Sequence, residues 1–306
     1  MNRLALLSSF VLALALPACG GSAGSGVGDP TGNPDPGGTG PTGSTSGGSA
    51  SGQADPTKPS VPGTGAQVTL SLRGSTAAVP HTDGFASQTP KSQNVAVKSL
   101  WLLKTIDDPA PLKVADLGTN AVETDLVSGK TNDIATVWLN TLPAGTYTIA
   151  KVGVAWVRYR VEARLHNGVA TDGRYDNVEA LSDGIVFEGK TRQKGWYRSA
   201  FGIGDTTYGT YEANDAPLPQ LPSSGGMTLE TKGADSFYVF PMHVTIDPNE
   251  PKDQRIVCEV NVHESFRWKD ELTPGYAANV FDTTPTSYEP VMSFGASAFS
   301  LYLEPK

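Results

Sequence analysis

From Gln67 onward, hydrophobic and polar residues alternate along the chain with a period of two rather than 3.6. In VTLSL, Val68, Leu70 and Leu72 oppose Thr69 and Ser71, and Val95 and Val97 lead into LWLL, the fully apolar run of a core strand. The longest such stretch is TYTIAKVGVAWVRYRVEARL. There Val152, Val154 and Trp156 share one parity, whereas Val157, Tyr159 and Val161 share the other. That flip predicts a β-bulge or a strand passing between two sheets. Further strands are predicted at DGIVFE, GWYRSAF, TTYGTYE, MTLETK, SFYVFPMHVTI, RIVCEVNVHESFRW and SFGASAFSLYLE. Clusters of Gly, Pro, Asn and Asp separate them at roughly 8 to 14 residues, the rhythm of a sandwich or barrel. The best helical signal is Thr273-Pro274 before GYAANVF, an N-cap and N1 pair that opens one short turn at most. The pattern predicts an all-β fold, an antiparallel β-sandwich over residues 66–306, with a sub-boundary near 166–177 as an open alternative.

The pattern before residue 66 is different. Residues 20–65 hold nearly half of the chain's 34 glycines and contain no aromatic residue, leucine or isoleucine. Such a segment buries too little apolar surface to offset the entropy of ordering it, so a disordered linker is expected. As a flexible Gly/Ser/Pro tether it would have a root-mean-square reach of about 35 to 40 Å. Ahead of it, Arg3 precedes a largely apolar stretch from Leu4 to Leu16. This is too short for a hydrocarbon core, which takes about 20 residues, and it reads as a signal peptide over residues 1–18.

The sequence Leu16-Pro17-Ala18-Cys19 resembles the lipobox of bacterial lipoproteins. That resemblance implies cleavage before Cys19, a diacylglycerol thioether on its sulfur and a further acyl chain, such as palmitate, on the new amino terminus. Two or more chains give stable anchoring where one does not. Gly20 in place of Asp, by the sorting rule of enterobacterial lipoproteins, implies the outer membrane. Farther on, LPAGTYT, preceded by an apolar strand and followed by a long alternating one, resembles a motif of transthyretin-like modules and of lipoprotein domains of unknown function. VAVKSLWLL, PLKVADLG and VETDL extend that likeness over residues 66–165 at most. The resemblance implies that Gly145 turns the chain and Tyr147 is the first inward aromatic of the next strand. It supports a fold and not a function.

The formal charge of −8, with basic residues scattered singly or in pairs, argues against nucleic acid as a partner. With Cys19 assigned to lipid, Cys258 has no partner and reads as a small buried hydrophobe sharing a strand face with Val260 and Val262. From residue 66 onward there is no G-x-S-x-G, and the chain has no H-x-x-x-H or C-x-x-C, so no catalytic residue is nominated. His243 and His263 fall in long strands whose pairing would set two imidazoles side by side, as a metal pair or simply facing solvent. TDGRYDNVE offers Asp172, Asp176, Asn177 and Glu179 as oxygen ligands for calcium on a predicted loop, although a plain turn calls for the same residues.

Two aromatic-basic clusters remain. GKTRQKGWYRSAFG carries Trp196, Tyr197 and Arg198, and HESFRWKDE carries Arg267 and Trp268. Exposed rings would be stacking platforms for sugars, with the arginines adding hydrogen bonds. In the alternative, the tryptophans fill the sandwich core and the cations lie along its edges. The expectation is a lipid-anchored envelope lipoprotein whose non-enzymatic head binds or scaffolds a polysaccharide or an envelope protein. It needs no cofactor beyond the lipid, calcium aside. A hydrolase on a β-sandwich and a purely structural lipoprotein are the alternatives.

Overall fold

The structure, a computed structural model, describes residues 63–216, 226–271 and 273–306. The expected signal peptide, Cys19 and all but the last three residues (63–65) of the expected linker lie outside the described residues. Nineteen strands follow in chain order. They begin with β1 (Gln67–Ser75), β2 (Ala86–Gln88), β3 (Ser92–Leu103), β4 (Leu112–Asp116), β5 (Val122–Asp125) and β6 (Thr131–Trp138). The long β7 (Gly145–Asn167) is followed by β8 (Val169–Ala180), β9 (Ile185–Phe187), β10 (Lys190–Arg192), β11 (Tyr197–Ile203) and β12 (Thr206–Ala213). The last are β13 (Thr228–Lys232), β14 (Asp235–Ile246), β15 (Gln254–Asn261), β16 (Phe266–Trp268), β17 (Asp282–Thr283), β18 (Val291–Ser293) and β19 (Ala298–Pro305). Among the described residues the helical content is one 3-10 turn, Leu139–Thr141. Thr273-Pro274 opens no helix, only a hydrogen-bonded turn from Tyr276 N to Thr273 O at 2.9 Å.

Two sheets form the layers. The smaller has the order β19-β15-β1-β6, and the larger runs β12-β11-β8-β7-β14-β13, with β3 and its partners β4 and β5 on the other edge of β7. Between them lies the main core. Val68, Leu70 and Leu72 of β1 and Ile256 and Cys258 of β15 meet Leu100 and Leu102 of β3, Val152 and Val154 of β7, and Phe240 and Val244 of β14. Each such side chain contributes about 1.5–3 kcal/mol on leaving water, which is why the alternating residues all choose the same side. Tyr147 is buried in this core, and Gly145 (φ +148) begins β7 in a conformation that favours glycine. Burial pushes the Cys258 thiol up to about 12, leaving it a neutral core residue.

The parity flip in β7 has a clear cause. The register to β3 slips beside Ala155, with Ala96 opposite Trp156 but Val97 opposite Val154. At the same place the other edge of β7 changes partner, from β14, whose pairing stops with Ser236 opposite Val154, to β8, whose pairing begins with Ala180 opposite Trp156. The freed Ala155 carbonyl accepts from Leu181 N (2.8 Å) and Ser182 N (3.2 Å). Beyond this bulge Tyr159 and Val161 face inward and join a second core with Tyr175, Phe266, Trp268 and Phe281. The short sheet β18-β16-β2 supplies part of that core.

The all-β sandwich is as expected, and three details of it differ from expectation. The possible boundary near 166–177 falls inside the β7–β8 hairpin, which turns at Asn167-Gly168 with Gly168 at φ +78. The sandwich is also not wholly antiparallel. β1 and β15, neighbours in the smaller sheet, run parallel from Val68 opposite Gln254 to Ser75 opposite Asn261. RIVCEVNVHESFRW is two strands rather than one: β15 ends at Asn261, and β16 starts at Phe266 in a different sheet.

Candidate functional site

Directly opposed residues of adjacent antiparallel strands project from the same face of a sheet. The registers therefore put Ser92, Arg160, Asp176, Ala200 and Thr210 in one row across β3, β7, β8, β11 and β12. Asn94, Arg158, Val178, Arg198 and Glu212 make the next row. These rows line an open groove of about 600 Å³ on the face turned away from Tyr159 and Tyr175. One end is closed by the β9–β10 hairpin, where Phe187 meets Trp156 edge-on at 5.3 Å and packs on Trp196 at 5.8 Å.

The charges in the groove are mutually engaged. Arg160 grips Asp176 with Nε to Oδ1 at 2.6 Å and Nη2 to Oδ2 at 3.3 Å. Arg174 adds Nε to Asp176 Oδ2 at 3.0 Å. Arg198 binds Glu188 with both fork nitrogens, at 2.6 and 2.7 Å, and Arg158 pairs with Glu123. The Arg198 guanidinium holds the Glu188 carboxyl below the usual carboxylate range, and the Asp176 hydrogen bond raises Arg160. A glycosidase acid needs the opposite shift, so Glu188 is placed to stay ionised. What the groove presents to a ligand is paired charge, the amide of Asn94, and the hydroxyls of Ser92, Thr207 and Thr210.

No family model matches the chain, and no curated protein or solved structure matches it either.

The residues singled out in the sequence fall into three places. Arg198 lines the groove, and Tyr197, beside it on β11, points to the opposite face and packs on Tyr211 at 5.8 Å. The two tryptophans are not exposed platforms. Trp196 is 3% exposed, held between Phe187 and the Arg192 guanidinium, which sits 3.9 Å from the ring centroid. Trp268 is 1% exposed in the second core. Arg267 is also buried, and its Nε donates to Asp83 Oδ2 at 2.9 Å, so it ties the segment after β1 to β16. The aromatic surface offered by the strand sequences was needed for the core, because bulge and short sheet create concave apolar faces that only large rings fill.

The calcium candidates also separate. They lie on strand β8, not on a loop, and alternation sends Asp172 and Asp176 to one face and Asn177 and Glu179 to the other. Asp172 is paired with Arg164 at 2.6 Å, Asp176 with two arginines, and Asn177 Nδ2 donates to Ser199 Oγ at 3.0 Å. Glu179 is buried on the inner face. Sequence reading missed the contribution of β12. Its residues are largely exposed, with Tyr208 at 65%, and Tyr208 sits at the bulge between Gly209 and Thr207, the latter lining the groove. The signal was there in TTYGTYE, a strand with tyrosine and threonine where a core strand would have aliphatics.

Proposed function

We propose that the chain is a lipid-anchored lipoprotein of the bacterial envelope, outer membrane by its Gly20, whose head binds a neutral polyhydroxylated ligand in the groove. A polysaccharide of the cell surface has that chemistry. The observation that carries this reading is the pairing of Arg160 with Asp176 and of Arg198 with Glu188 inside a groove that also presents the Asn94 amide and the hydroxyls of Ser92, Thr207 and Thr210. Guanidinium forks already closed by carboxylates do not attract a polyanion, but their remaining N–H groups and the carboxylate oxygens hydrogen-bond hydroxyls well. Exposed Tyr208, next to groove-lining Thr207, supplies the stacking face that the buried tryptophans do not. Among the described residues no helix is long and apolar enough to cross a membrane; the anchor in this reading is the lipid on Cys19.

Two measurements test it. On an array of neutral and acidic glycans, binding to neutral polymers is expected, with a loss of about 10-fold or more for Asn94→Ala combined with Tyr208→Ala. Affinity that is unchanged in that double variant, or confined to polyanions and abolished by salt, overturns the groove assignment. For the anchor, Cys19→Ser is expected to move the protein from the detergent phase to the aqueous phase. Unaltered partitioning would end the lipoprotein reading.

A further inference from the structure

The parallel pairing of β1 and β15 makes both strands leave the smaller sheet at the same end. The segment after β1 carries His81, and the turn after β15 carries His263 and Glu264. Asn261 stitches the two exits together: its Nδ2 donates to Ala77 O at 2.9 Å, and its Oδ1 accepts from His263 N at 2.8 Å. Val262 N adds a bond to Ser75 O at 2.7 Å. The turn then closes from Ser265 N to Val262 O, with Glu264 in the left-handed region at φ 48 and its amide bound to Thr89 Oγ1 at 2.9 Å. His243 takes no part, because β14 belongs to the other sheet.

The result is a convergence of three metal-ligating groups. One ligand atom each from His81, His263 and Glu264 lies within 4.8 Å of the others, and all three residues are half-buried. His81 Nε2 is shielded from solvent and has no hydrogen-bond partner among the described residues. A buried polar atom left in that state costs about 1–3 kcal/mol, which a bound cation would offset. His263 Nδ1 accepts from the Val79 amide at 3.4 Å, a long bond that the ring gives up when it takes the metal-binding tautomer.

We propose that His81, His263 and Glu264 form a binding site for a divalent transition metal of the zinc class. Two imidazoles and a carboxylate suit Zn²⁺ or its substitutes Co²⁺ and Ni²⁺, and they do not suit Ca²⁺ or Mg²⁺, which prefer oxygen ligands alone. Ligand atoms on one tetrahedral zinc stand about 3.4 Å apart, so the site closes by side-chain rotations of roughly 1 Å. Three protein ligands leave the fourth position to water or to an incoming ligand. The ion would also cross-link the segment after β1 to the β15–β16 turn, in parallel with the Arg267–Asp83 pair.

The test uses the full-length protein in detergent, stripped with chelator and then titrated with Zn²⁺ by calorimetry and with Co²⁺ by visible absorption. One equivalent is expected to bind, with tetrahedral Co²⁺ bands, a rise in Tm and no competition from Ca²⁺. His81→Ala with His263→Ala is expected to weaken binding by about 100-fold or more, and Glu264→Gln by about 10-fold. His243→Ala is expected to leave it unchanged. Near-UV circular dichroism confirms folding, and if the double histidine variant does not fold, Glu264→Gln decides alone. Absence of stoichiometric binding by the wild type, or full affinity in the folded variants, overturns the proposal.

Discussion

Replacing Glu179 by glutamine is expected to stabilise the folded head at pH 8 by about 3–4 kcal/mol while changing it little near pH 5. Glu179 stands on β8 opposite Val157 and Tyr197, on the inner face of the larger sheet. It is 4% exposed, and its Oε1 has no hydrogen-bond partner among the described residues. Removal from water disfavours the charged form and pushes the carboxyl from 4.5 up to about 8. The folded state therefore keeps a proton that the unfolded chain releases. Its contribution is fully present below about pH 4.5 and is lost as pH rises through about 8, at up to roughly 1.4 kcal/mol per unit. Glutamine has the same shape and no charge to desolvate. Urea unfolding of both proteins at several pH values measures the difference. Curves that stay parallel from pH 5 to pH 8 would show that Glu179 is solvated or partnered.

How much of this was legible in the sequence can be seen strand by strand. Period-two alternation marks β1, β3, β7, β14 and β15, and the switch of parity at Ala155 correctly announces the bulge. Alternation reports which side of a strand is buried, and it carries nothing about which strand lies alongside. The parallel pairing of β1 with β15 joins positions nearly 190 residues apart, and no local pattern encodes it. The meeting of His81 with His263 was invisible for that reason. The break after Asn261 was hidden too, because the turn from Val262 to Ser265 is made with non-glycine residues, one of them at positive φ.

The groove shows a different kind of legibility. TDGRYDNVE is rich in Asp, Gly and Asn and suggests a loop, yet its acids have partners at fixed positions upstream. Arg160 with Asp176, Glu162 with Arg174 and Arg164 with Asp172 are opposed pairs, all centred on Gly168. Opposite charges placed symmetrically about an Asn-Gly are a hairpin signature, and they locate both the turn and the groove's central row. Gly173 supports the same reading, since a Cβ there would meet Gly202 O at 2.3 Å, a contact that only closely paired β8 and β11 create. The tryptophans were less legible because a ring on a strand has the same sequence pattern whether its face meets solvent or a second sheet.

That ambiguity is removed by Trp268, whose truncation to alanine is expected to cost about 3–5 kcal/mol of stability. Its ring lies 5.7 Å from Phe266 and 5.8 Å from Phe281, the latter edge-on, in the core shared with Tyr159, Val161 and Tyr175. β16 has only three residues, so packing rather than ladder hydrogen bonds holds it between β2 and β18. A cavity of indole size would be lined by aromatic rings pinned in short strands, which collapse poorly around it. The expected fall in Tm is about 10 °C, at 2–4 °C per kcal/mol for a domain of this size. Trp268→Phe should lose much less, about 1–2 kcal/mol, because the indole Nε1 has no hydrogen-bond partner among the described residues and most of the ring is kept. Tyr208→Ala provides the opposite case: at 65% exposure it should move stability by no more than about 0.5 kcal/mol, and its effect belongs to ligand binding. Scanning calorimetry on the three variants separates core from platform. A Trp268→Ala protein that melts with the wild type but binds glycan more weakly would return the ring to the surface and sink the packing described for this end of the sandwich.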